Sequence, residues 1–86
     1  METLIVSSKL PFNSLVKVAE GMSYNREVFQ ISARGKQIQR GAEVVSILYE
    51  KGRIRNLNHE YGHILIDDKR VPSLNWIITS HEGDTS

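Results

Sequence analysis

The rhythm of apolar and polar positions changes several times along the chain, and each change predicts an element. Thr3-Leu4-Ile5-Val6-Ser7 is short, β-branched and alternating, which predicts a strand. Pro11 suits the first turn of a helix, where a missing N–H is harmless. Phe12, Leu15, Val16 and Ala19 then recur at helical spacing, and Gly21 stands where a left-handed cap would end that helix. From Arg26 to Ser32 the period becomes two: Phe29 and Ile31 alternate with Gln30 and Ser32, as in a strand with one buried face. Ala33-Arg34-Gly35 can turn, and Lys36 to Gln39 is expected to return as the second strand of a hairpin.

Val44, Ile47 and Leu48 share a helical face after Gly41, with Gly52 as the cap, and this helix is favoured over the alternative of a β-branched strand 44–50 that Lys51-Gly52 would close as a hairpin onto Arg53-Ile54-Arg55. Arg53 to Gly62 is polar and reads as a connection. His63 to Ile66 predicts a strand, Asp67-Asp68-Lys69 a turn, and Arg70-Val71 a return that Pro72 interrupts. Ser73 to Thr79 predicts a short turn and then an edge strand. The expected fold is α+β in two layers, a mixed sheet of four to five strands with two helices, in the order βαββαβ(β). Residues 1–80 are expected to form a single domain and 81–86, HEGDTS, a flexible polar tail.

The arrangement from residue 26 onward carries a resemblance. A hairpin is expected before Gly41-Ala42-Glu43-Val44, a later strand turns into Val71-Pro72 with Trp76 downstream, and Gly83-Asp84 follows. This resembles the β-grasp, ubiquitin-like sulfur-carrier proteins of thiamine and molybdopterin synthesis, over about two-thirds of the chain. The resemblance implies a β-grasp fold. The family's final strand and terminal Gly-Gly are not matched, so none of its site residues carries over. A sheet completed from the front is expected instead, with Thr3–Ser7 parallel to Arg26–Ser32 and the first helix as the crossover. The stretch from Gly62 to Val71 also resembles the hairpin of a class of small RNA-binding domains.

Length and charge narrow the function classes. A chain of 86 residues buries only about 60–65% of its unfolded surface, so the core is small. There is no cysteine, which removes disulfides and thiolate–metal clusters and suits a cytoplasmic setting. No apolar run approaches the ~20 residues of a membrane span, and no signal peptide is expected. The formal net charge is +1, but Arg34, Lys36, Arg40, Lys51, Arg53 and Arg55 face only Glu43 and Glu50 within their stretch. Arg34, Lys36, Arg53 and Arg55 form the expected basic, partner-binding face, with Tyr49 or Tyr61 as stacking surfaces for nucleic acid.

One motif bears on catalysis. His59-Glu60-Tyr61-Gly62-His63 fits H-E-x-x-H, in which two histidines one helical turn apart bind zinc and the glutamate acts as base. That chemistry requires a helix and a third ligand, and the candidates are Asp67, Asp68, His81, Glu82 and Asp84. The context Asn56-Leu57-Asn58 before and Ile64-Leu65-Ile66 after is not helical, so the motif is expected to be a bend leading into a strand. No catalytic set and no cofactor are expected. The sequence therefore favours a non-catalytic, ubiquitin-like interaction module that binds another protein, with an exposed edge that a second copy could cover. The alternatives are a small nucleic-acid-binding domain, a small zinc hydrolase using His59, Glu60 and His63, and a degenerate sulfur carrier.

Overall fold

A computed structural model describes residues 1–80. The elements are β1 (Glu2–Ile5), α1 (Phe12–Asn25), β2 (Val28–Arg34), α2 (Gln37–Glu50), β3 (Ile54–Ile66) and β4 (Lys69–Ser80). The four strands form one mixed sheet in the order β1-β2-β4-β3. β1 runs parallel to β2, with Leu4 beside Ile31, and α1 makes the crossover between them. β4 is antiparallel to both of its neighbours, β2 and β3.

Register explains the core. Phe29 lies opposite Ile78 and Ile31 opposite Trp76, so alternate residues of β2 and β4 point to one side of the sheet. Leu4, Val6, Phe29, Ile31, Ala33, Trp76 and Ile78 are buried there under Leu15, Ala19, Val44, Val45 and Leu48 of the two helices. The other side carries Gln30, Ser32, Ser73, Asn75, Asn58 and Glu60 around Ile77 and has no helix over it. Gly41 lets α2 approach the sheet closely. A Cβ there would lie 2.6 Å from the Trp76 ring and 3.2 Å from the Ala33 Cβ.

The parallel pairing of the N-terminal strand matches the expectation from the sequence. Several other expectations are corrected. The residues read as a returning strand, 36–39, turn instead into α2. Gly35 takes a positive φ of 54°, and Ile38 then joins the core stripe of the helix. Without that hairpin the order is βαβαββ, and the β-grasp reading falls. Gly21 does not end α1, which continues to Asn25 and buries Ser23. The polar segment 54–62 is strand rather than connection. As an edge strand it needs only the β4 ladder to satisfy its backbone, not an apolar face of its own. β4 is an inner strand, although it contains Pro72. That proline's carbonyl accepts a hydrogen bond from the Gly35 N–H at 2.8 Å. The expected tail, 81–86, and the Gly83-Asp84 match lie outside the described residues.

Candidate nucleic-acid interface

The parallel β1–β2 pair fixes where the charges fall. Both strands end at the same end of the sheet, so both following loops and the N-termini of both helices gather there. The β3–β4 ribbon continues past this end. Arg34 pairs with Ser73 as the last β2–β4 partner, while Ile64 to Ile66 pair with Lys69 to Val71 alone. The ribbon is therefore an arm, and the described residues extend 49 Å along their long axis against 24 and 19 Å across it.

Segments 7–11, 34–40 and 61–73 make up this end. They hold six basic residues, Lys9, Arg34, Lys36, Arg40, Lys69 and Arg70, against Asp67 and Asp68. Lys9, Arg34 and Lys36 are exposed, and none of the six has an ion-pair partner among the described residues. Arg40 has a positioning task. Its Nη1 donates to the Ser7 carbonyl at 2.8 Å and its Nη2 to the Leu10 carbonyl at 2.7 Å, which ties the Lys9 loop to α2. The first turn of α2 contains no acidic residue, and Lys36 at its N-cap makes no side-chain capping bond. Its free N–H groups and positive dipole end therefore add to the same field.

The opposite end is balanced. Arg26 pairs with Glu2, Lys51 with Glu20 at 3.1 Å and Arg55 with Glu27 at 3.8 Å. The four basic residues expected to form one face are thus divided. Arg34 and Lys36 belong to the unpaired end. Arg55 belongs to the balanced end, and Arg53 is buried there against Ser23 and Tyr24. A shift of register between Ile54 and Asn56 marks that end of β3.

The H-E-x-x-H motif lies within β3. On a strand, His59 and His63 share a face but stand about 13 Å apart, four residues at roughly 3.3 Å each. Glu60 points to the other face, opposite Asn75. The one-turn proximity on which zinc binding depends is absent, and Asp67 and Asp68 sit at the arm's tip. The described residues contain no group of three or more metal-ligating side chains. The expected bend is not present either, because the strand is continuous through the motif.

No family model matches the sequence, and no curated protein matches it. Solved structures do. ALBA1 from Trypanosoma brucei superposes with a TM-score of 0.72 at 13% identity, over 92% of this chain and 68% of that one. Alba from Thermoplasma volcanium superposes with a TM-score of 0.67 at 19% identity, over 91% of this chain and 99% of that one. The likeness is one of fold: this is a small α+β chain with an Alba-like arrangement of two helices on a four-stranded mixed sheet. It also corrects the sulfur-carrier resemblance, which rested on a hairpin that the structure replaces with helix.

Sequence reading missed Lys9, Arg40, Lys69 and Arg70 as members of the basic end. The signal available was topological. Once the first strand is parallel to the second, the loops after both lie at one end of the sheet, and Arg40 ties the Lys9 loop to α2 there.

Proposed function

We propose that this chain is a nucleic-acid-binding protein that grips the phosphate backbone with the end formed by Lys9, Arg34, Lys36 and the β3–β4 arm. One observation carries the reading: at one end of the sheet Arg26, Lys51 and Arg55 are paired with carboxylates, whereas at the other six cations cluster without an ion pair among the described residues, Lys17 on α1 being the one unpaired cation apart from them. Phosphate contacts require such unpaired donors, and a scattered solvated charge pattern would not leave one end neutral and the other six to two. The fold likeness to the Alba chains points in the same direction. This is a binding protein and not an enzyme. No helix among the described residues is long and apolar enough to cross a membrane. The ubiquitin-like interaction module expected from the sequence gives way to this reading.

The test is fluorescence anisotropy with a labelled duplex across a salt series. The logarithm of the binding constant should fall linearly with the logarithm of salt concentration. Replacing Lys9, Arg34 and Lys36 one at a time by Ala should lower the slope by about 0.9 for each lost contact. Lys51→Ala and Arg55→Ala should leave it unchanged. A wild-type protein that does not bind at low salt would end the proposal.

A homodimer also has a place on this chain, away from the cationic end. Val45, Ser46, Tyr49, Glu50 and Leu57 line a shallow groove of about 240 Å³ between α2 and β3. Tyr49 and Leu57 are exposed there. Sedimentation of the wild type against Leu57→Glu tests it: a dimer using this groove should dissociate in the variant, and an unchanged sedimentation coefficient rejects it.

A further inference from the structure

The exposed aromatic rings are not spread evenly. Tyr24 is engaged with Arg53 at the balanced end, Tyr49 stands singly on α2 in the groove with Leu57, and Trp76 and Phe29 are buried. The uncovered side of the sheet carries no aromatic residue among the described strands. On β3, by contrast, His59, Tyr61 and His63 stand in one row. They lie opposite Trp76, Leu74 and Pro72, so they share the helix side of the ribbon. α2 reaches over Trp76 through Gly41 but leaves this edge row open, and Tyr61 is 64% exposed. The row leads from the body onto the arm, where Arg70 follows on the same face as the partner of Leu65. Lys36 lies next to Gly35, which is bonded to Pro72, the partner of His63. The rings therefore continue directly from the unpaired cations.

We propose that His59, Tyr61 and His63 form a stacking platform for unpaired bases, so that the chain prefers single-stranded nucleic acid to a duplex. This rests on the phosphate-binding reading above and adds a class of ligand to it. Successive same-face residues on a strand are about 6.7 Å apart, a spacing that successive nucleotides of an extended single strand can follow. The Tyr61 and His63 rings meet edge to face, with centroids 5.4 Å apart and planes at 79°. That contact holds the rings in place before a base arrives, which lowers the ordering cost of stacking. Unpaired bases expose their π-faces, whereas paired bases in a duplex hide theirs against neighbours. The cationic end supplies charge complementarity to the phosphates of the same strand.

The experiment compares a short labelled single strand with the same sequence as a duplex, using wild type, Tyr61→Ala and Tyr61→Phe. Wild type should bind the single strand more tightly. Tyr61→Ala should weaken single-strand binding by roughly 5- to 100-fold and change duplex binding less than about two-fold. Tyr61→Phe should retain the preference, because it keeps the ring. Tyr61 is exposed, and thermal unfolding of each variant confirms that it folds. Equal binding of single strand and duplex by wild type would overturn the platform while leaving phosphate binding intact. So would an unchanged single-strand affinity in Tyr61→Ala, or a change of sedimentation in that variant showing that a second copy covers the row. Binding to neither ligand would overturn both readings.

Discussion

The guanidinium of Arg53 lies over the ring of Tyr24, 4.0 Å from its centroid. Arg53 Nε also donates to the Ser23 hydroxyl at 3.1 Å, and its Nη2 donates to the Ser23 carbonyl at 3.0 Å. Those bonds satisfy the last turn of α1, where a carbonyl has no helical partner. Ser23 completes the arrangement by donating to the Glu20 carbonyl at 2.6 Å. A residue that looks like a surface cation in the sequence is thus a lock between the end of the first helix and the start of β3. Arg53→Ala should destabilise the fold by about 2–3 kcal/mol, the scale of lost charge-assisted hydrogen bonds. Urea unfolding measures that loss, and nucleic-acid affinity of the folded variant should not change.

Two glycines should respond in opposite directions. Gly41 sits against the Trp76 ring, so Gly41→Ala must push α2 off the sheet. A cost of about 1–3 kcal/mol is expected, along with a change in Trp76 fluorescence. Gly21 is in the interior of α1, and a Cβ there would meet nothing within 4 Å. Gly21→Ala should raise stability by about 1 kcal/mol, the helix-propensity difference alone. A destabilised Gly21→Ala protein would show that the helix is packed differently there.

The tip of the arm is strained. Asp67 and Asp68 both have positive φ, 51° and 65°, in the two-residue turn between β3 and β4. That turn type favours Asn-Gly. Replacing Asp67-Asp68 by Asn-Gly should stabilise the arm by about 1 kcal/mol, on the scale of the left-handed penalty. Amide exchange of Ile66 and Lys69 should slow. The change also removes two carboxylates beside Lys69 and Arg70, so phosphate affinity should rise.

Arg40 should matter through its geometry as well as its charge. It bridges the Ser7 and Leu10 carbonyls with two nitrogens of one guanidinium. Arg40→Lys keeps the charge but cannot span both carbonyls in the same way. Faster amide exchange in the 7–10 loop is expected for that variant, with weaker duplex binding. Wild-type exchange rates in Arg40→Lys would show that the clamp is not needed.

The legible parts of the fold were those with a local cause. Phe12, Leu15, Val16 and Ala19 announced α1, and Phe29 and Ile31 announced β2, because burial on one face imposes its period on the sequence. Segment 54–62 gave no such signal, since an edge strand is held by its ladder and its side chains are free to be polar. Gln37 to Gln39 misled for a related reason. A single apolar residue, Ile38, between two glutamines fits period two and period 3.6 equally well. Arg34 and Lys36, grouped from the sequence, lie at the same end of the sheet. Arg53 was not separable from them, because the sequence does not show which cation meets Ser23 and Tyr24.

Composition and patterning by themselves determined an α+β chain with a small core, no disulfide, a first strand followed by a helix, and a local excess of basic residues. Tertiary structure alone decided which cations are neutralised, which rings are exposed, and that the two histidines lie along a strand instead of around a helix. The physical reason is range. Helical and strand periods act between residues a few positions apart. Ion pairing, ring exposure and ligand geometry depend on which distant segments the sheet order brings side by side.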